Sequence, residues 1–129
     1  MREPILVVDD NPTNLKLVRV LLSAAGFRVE GASDAEEAQQ ILRRFQPRLI
    51  LMDLQLPGKD GLALTRELKG DPATRDIVVV ALTAYAMKGD EERAREAGCD
   101  GYVTKPINTR TLAEEVARFL ARAGCPSVP

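Results

Sequence analysis

Ile5-Leu6-Val7-Val8-Asp9-Asp10-Asn11-Pro12 holds a strand, a pair of carboxylates and the start of a helix in consecutive positions. The run from Ile5 to Val8 is apolar at every residue, so both of its faces must be covered, as in a parallel sheet sandwiched between helices. Asn11 followed by Pro12 is a cap residue with proline at the first helical position. The helix that follows sets Leu15, Val18 and Leu22 on one face, and Gly26 stops it.

The rest of the chain repeats this pattern. Leu49 to Met52, Ile77 to Leu82 and Tyr102 to Thr104 are further short apolar or β-branched runs, whereas Phe27-Arg28-Val29-Glu30 alternates and reads as an edge strand. A second helix is predicted after Ser33-Asp34, with Ala38, Ile41, Leu42 and Phe45 aligned and Pro47 as its end. A third covers about Leu62 to Leu68 and closes at Gly70-Asp71-Pro72, and the last runs from Thr109 with Leu112, Val116, Phe119 and Leu120 facing inward. The helix within Ala86 to Ala97 has few large apolar residues in Lys88-Gly89-Asp90-Glu91-Glu92-Arg93 and is expected to be the least firmly anchored. Five strands alternating with five helices give a three-layer α/β domain with a parallel sheet. An edge position for the second strand fits the order 2-1-3-4-5 of flavodoxin-like (βα)5 domains. Residues 1–129 read as one domain, with 124–129 a flexible tail.

Composition narrows the chemistry. The 129 residues are 45% hydrophobic and 29% charged, and Lys+Arg 18 against Asp+Glu 19 leaves a net charge of -1. That balance, with 4% aromatics and no Trp, argues against direct nucleic-acid binding, which calls for basic excess and stacking surfaces. The apolar runs are far shorter than the roughly 20 residues a bilayer needs. There is no histidine, so Ser-His-Asp and Cys-His nucleophiles and His-ligated zinc are excluded, and group transfer falls to carboxylates, Lys or an external partner. Cys99 and Cys125 are too few for a disulfide framework and, without a secretory signal, read as free thiols of a cytoplasmic protein.

In open parallel sheets, sites form beyond the carboxyl ends of the strands. Strand one delivers Asp9 and Asp10, strand three Asp53, strand four Thr83, and strand five Lys105 followed by Pro106. Each has a plainer reading: Asp10 or Asn11 as a helix cap, Asp53 as a turn former, Thr83 as a strand-to-helix cap, the Lys-Pro pair as uninformative. Together, on strands adjacent in space and with complementary charge, they point to one crevice. Three carboxylates meeting there either keep some of their protons or enclose a hard cation. Mg²⁺ is the economical choice, since it takes carboxylate and carbonyl oxygens and accepts a phosphoryl oxygen as a further ligand.

Leu6-Val7-Val8-Asp9-Asp10-Asn11, Leu51-Met52-Asp53-Leu54-Gln55-Leu56-Pro57-Gly58-Lys59-Asp60-Gly61, Ala81-Leu82-Thr83-Ala84 and Gly98-Cys99-Asp100-Gly101-Tyr102-Val103-Thr104-Lys105-Pro106 resemble the motifs of the response-regulator receiver domain of bacterial two-component signalling. The likeness covers nearly the whole chain and is strongest to single-domain regulators of the cell-division type. It implies that Asp53 is the phosphoacceptor, that Asp10 and the Gln55 backbone carbonyl bind Mg²⁺ directly, and that Asp9 acts through water. It implies further that Lys105 and Thr83 grip the phosphoryl group, that the Lys105-Pro106 peptide is cis, and that Tyr102 is the switch aromatic. Gln55 and Tyr85 stand where the family varies and tunes phosphoryl lifetime.

The resulting expectation is a switch rather than an enzyme, one that promotes its own phosphorylation and slow dephosphorylation. It takes its phosphoryl group from a sensor histidine kinase or phosphotransfer protein and signals by docking to a downstream protein. A phosphorelay intermediate, or a receiver piece of a larger regulator or hybrid kinase, is the alternative. An FMN-binding flavodoxin-like module would need an anion loop where Asp9 and Asp10 stand. A phosphatase with an aspartyl nucleophile would need a second acid where Gln55 stands.

Overall fold

The computed structural model describes residues 3–53, 61–83, 92, 95–104 and 108–124. Five parallel strands, β1 (Pro4–Val8), β2 (Arg28–Ala32), β3 (Leu49–Asp53), β4 (Val78–Thr83) and β5 (Gly101–Thr104), form one sheet in the order β2-β1-β3-β4-β5. The helices are α1 (Pro12–Ala24), α2 (Ala35–Leu42), α3 (Gly61–Gly70) and α4 (Leu112–Gly124).

The apolar strands divide by parity, as a two-faced sheet requires. Leu6, Val8, Ile50, Met52 and Val79 point to one side, where α2 and α3 contribute Ala38, Ile41, Leu64 and Leu68. Ile5, Val7, Leu49, Leu51, Val78, Val80 and Leu82 point to the other, against Val18 and Leu22 of α1 and Leu112, Val116 and Leu120 of α4. Each Val, Leu, Ile and Met among them contributes about 1.5–3 kcal/mol by leaving water.

Local chemistry sets the helix ends. The Asn11 side chain accepts from the Thr13 and Asn14 amides at 2.9 and 3.3 Å, and Gly26 closes α1 at φ +99, a left-handed conformation that suits glycine. Asp34 caps α2 by accepting from Glu37 N at 2.8 Å, while Glu37 reaches back to Ser33 N at 2.8 Å.

Several boundaries differ from the sequence reading. The second helix ends at Leu42 instead of running on toward Pro47, because Arg43 and Arg44 already donate to carbonyls three residues back, at 3.3 and 3.0 Å. Phe45 stays buried beyond the helix, with the Arg28 guanidinium 5.2 Å over its ring. The edge strand is Arg28–Ala32, since Phe27 is still tied to the end of α1 by its amide on Leu22 O. The last helix starts at Leu112 and not at Thr109. The Asn108 side chain holds Arg110 N at 2.9 Å, making a turn of residues 109–111. Gly124 ends that helix, and the remainder of the expected tail lies outside the described residues. Most of the helix expected over 86–97 lies outside them too; residues 92 and 95–97 are helical, and Ala97 is buried.

Candidate functional site at the carboxyl ends of the strands

Register brings the acids together. Val8 pairs with Met52 across β1 and β3, so the residues that follow, Asp9 and Asp53, stand level at the carboxyl edge. Asp53 in turn pairs with Leu82, and Thr83 with Thr104, which places the ends of β4 and β5 beside them. Asp53 is the last residue of β3 instead of the first beyond it. Its backbone therefore belongs to the central, most covered strand.

One carboxylate oxygen from each of Asp9, Asp10 and Asp53 can be chosen so that all three lie within 4.8 Å of one another. Asp9 and Asp53 are only 1% and 4% exposed, whereas Asp10 is open to solvent. Asp9 also shapes the backbone: its Oδ1 accepts the Asn11 amide at 2.9 Å, and its own amide donates to Ala32 O at 3.0 Å, which fixes the turn from β1 into α1. The start of that helix supplies a positive dipole end beside the acids, worth a fraction of a kcal/mol for each nearby charge and far too little to offset three. Hard oxygen donors this close together suit Mg²⁺ in both donor type and spacing.

Of the other expected site residues, Thr83 ends β4 by backbone, and its side chain lies outside the described residues, as do Gln55, Lys105 and Pro106. Tyr102 lies on β5 level with Ala81 and is 37% exposed.

Sequence reading missed the supports behind the site. A methyl group added at Gly61 would run into the Asp53 carbonyl oxygen, so the first residue of α3 must be glycine for the helix to lie this close. Thr65, wholly buried, donates its hydroxyl to Gly61 O at 2.8 Å. One turn on, Lys69 Nζ donates to Asp100 Oδ2 at 2.8 Å, Ile77 O at 2.7 Å and Arg75 O at 3.2 Å. Asp100 Oδ2 also accepts the Val79 amide at 2.8 Å, so this brace ties α3 to the starts of β4 and β5. A polar residue on the apolar face of a helix, as Thr65 is, was the available signal. Beside it, burial pushes the Cys99 thiol above its ordinary range, with the Asp100 charge adding and the Thr65 hydroxyl and Lys69 opposing. That thiol is kept neutral and is no nucleophile at pH 7.

A cavity of about 430 Å³ between Leu42, Phe45, Pro47, Thr74 and Ile77 opens around the amino-terminal ends of β3 and β4, away from the acids. No described helix is long and apolar enough to cross a membrane.

The family model for the response regulator receiver domain matches residues 5–117. The polar-differentiation response regulator DivK of Brucella anthropi is 43% identical over 123 residues, 95% of this chain and 100% of that one. A response regulator from Chloroflexus aurantiacus superposes with a TM-score of 0.88 at 32% identity, covering 95% of this chain and 100% of the other. The receiver domain of a sensor histidine kinase from Pseudomonas aeruginosa, which has a magnesium ion coordinated in its active-site cleft, superposes with a TM-score of 0.81 at 35% identity over 96% and 99% of the two chains. With its sheet order, its level acids and these relatives, the chain belongs to the response-regulator receiver domains, the phosphoacceptor switches of two-component signalling.

Proposed function

We propose that Asp53 is the phosphoacceptor of this receiver domain and that residues 1–129 act as one cytoplasmic signalling switch. The observation that carries this reading is the placement of the Asp53 carboxylate at the end of the central strand, level with Asp9 and within 4.8 Å of both partner acids. A carboxylate oxygen of Asp53 attacks the phosphorus of a phosphohistidine on a sensor kinase or phosphotransfer protein. The new bond is P–O, the bond that breaks is P–N, and the electron pair leaves with the imidazole, so Asp53 becomes an acyl phosphate. These 129 residues hold no histidine, so the phosphohistidine lies outside them.

Asp10, Asp53 and the Gln55 carbonyl would hold Mg²⁺, with Asp9 acting through water. When bound, that ion supplies the positive charge that lets a phosphoryl dianion approach three acids. Asp9 anchors the turn that presents Asp10, through its bond to the Asn11 amide. Lys105 and Thr83 hold phosphoryl oxygens, and Tyr102 responds to the change at Thr83. The acyl phosphate is lost slowly to water, and output passes to a downstream protein by docking.

Acetyl phosphate with Mg²⁺ is the test, read by intact-protein mass spectrometry. One phosphoryl group per chain is expected, acid-stable and alkali-labile, absent with EDTA and absent in Asp53→Asn. Undiminished labelling of Asp53→Asn would overturn the assignment.

A further inference from the structure

Nothing in the chemistry of acyl phosphate formation requires a hydroxyl in the third helix, yet Thr65 is completely buried there among Leu62, Leu64 and Leu68. Valine has nearly the same volume and would satisfy packing alone. What the hydroxyl adds is a bond to Gly61 O at 2.8 Å, one turn earlier. Gly61 is in turn the residue that backs the acceptor: a Cβ at this position would overlap the Asp53 carbonyl oxygen and stand 3.0 Å from Met52 Cγ. The Cys99 thiol lies beside the same hydroxyl, and Cys99 packs on the cluster of Leu62, Ala81 and Ala97. The hydroxyl is thus bonded to the start of α3 and faces the segment that enters β5. Contact between Gly61 and Asp53 is backbone to backbone, so no side-chain rotation can absorb a shift of the helix.

We infer that Thr65 is a positioning residue for the acceptor: through the Gly61 carbonyl, its hydroxyl sets where the first turn of α3 presses on the Asp53 backbone, and so how far the Asp53 carboxylate stands from Asp9 and Asp10. This rests on the reading of Asp53 as acceptor beside a Mg²⁺ site. Small displacements matter there because Mg²⁺ tolerates little departure from octahedral geometry at about 2.0–2.1 Å.

The test compares Thr65→Val, which keeps the volume and removes the hydroxyl, with Thr65→Ser, which keeps the hydroxyl, in the full chain. Three quantities are measured at 25 °C: the Mg²⁺ dissociation constant by titration calorimetry, the rate of labelling by acetyl phosphate at saturating Mg²⁺, and the urea midpoint of unfolding. A purely structural role lowers the urea midpoint and leaves the Mg²⁺ constant alone, because apparent affinity falls only with the folded fraction. Thr65→Val is expected to weaken Mg²⁺ binding about tenfold, the lower end of what groups orienting a metal ligand contribute, and to slow labelling to a similar degree. Thr65→Ser is expected to stay within about twofold of the parent on the same grounds. Should Thr65→Val fail to fold, Thr65→Ala is read against the same constants. The inference is overturned if the hydroxyl-free variant binds Mg²⁺ and takes label like the parent, or if Thr65→Ser fails as badly as Thr65→Val. Asp53→Asn separates the two readings. If the parent takes no label, or Asp53→Asn takes as much, the acceptor reading fails while the Mg²⁺ constants still decide on Thr65.

Discussion

Replacing Asp10 by Asn should stabilise the metal-free protein and at the same time remove most of its response to Mg²⁺. At 4.8 Å, the outer limit of the separations in the acid cluster, two unit charges repel by about 3.5 kcal/mol at an effective dielectric near 20. Asp10 is exposed, however, and screening reduces a pair that includes an exposed carboxylate to roughly 0.5–1 kcal/mol. Its two pairings, with Asp9 and with Asp53, therefore cost the fold about 1–2 kcal/mol in the absence of metal. For a domain of this size that corresponds to a rise in Tm of roughly 3–8 °C in Asp10→Asn.

With Mg²⁺ the gap closes, and at about a hundred times the Kd the order reverses. A site that binds only the folded chain adds about 1.4 kcal/mol at ten times its Kd; the parent should gain this, while the variant, lacking the direct ligand proposed for the metal, should gain little. Asp9→Asn should behave differently: its Oδ1 can go on accepting the Asn11 amide, and in the proposed site Asp9 reaches the metal only through water, so the variant should keep most of the Mg²⁺ response. Scanning calorimetry of the three proteins, in EDTA and across a MgCl₂ series, measures both effects. The reasoning fails if metal-free Asp10→Asn melts at or below the parent, or if Asp9→Asn and Asp10→Asn lose the Mg²⁺ response equally.

Lys69→Met should lower stability by roughly 1–3 kcal/mol in urea unfolding, because it leaves Asp100 Oδ2 and the Ile77 and Arg75 carbonyls without their shared donor; an unchanged midpoint would show the brace to be idle. Cys99 makes stability depend on alkaline pH. Its thiol is raised in the fold, so its contribution is full below the unfolded-state value of about 8.5 and is lost as pH rises through the folded one; Cys99→Ala should flatten that slope, and equal slopes would refute it. Beryllofluoride with Mg²⁺ should shift amide signals over 83–97 and around Tyr102 more than those over 35–45, and Thr83→Ala should still take label while losing most of the remote response. Shifts confined to the surroundings of Asp53 would sink that coupling.

What could be read from the sequence follows from which features are local. Ile5 to Val8 and Leu49 to Met52 announce their strands because residues buried on both faces leave no polar position to confuse the period, and parallel register then forces the next residue of each to the same edge. The acids were legible for that reason alone. β2 was placed one or two residues early because alternation marks a strand without marking its end. Gly31, a poor strand former, sits close under α1: a Cβ on it would stand 3.0 Å from Leu15 Cδ1. Gly61, Thr65 and the Lys69–Asp100 pair stayed hidden for a stronger reason. Lys69 and Asp100 are 31 positions apart and carry no pattern until α3 is docked, and Thr65, polar on an apolar helix face, marks itself without naming its partner. The reactive groups at the strand ends are therefore fixed by register, whereas the fine placement of Asp53 is fixed by what packs beneath its backbone. A chain could keep all three acids on their strands and still lose the geometry through a single methyl group at Gly61.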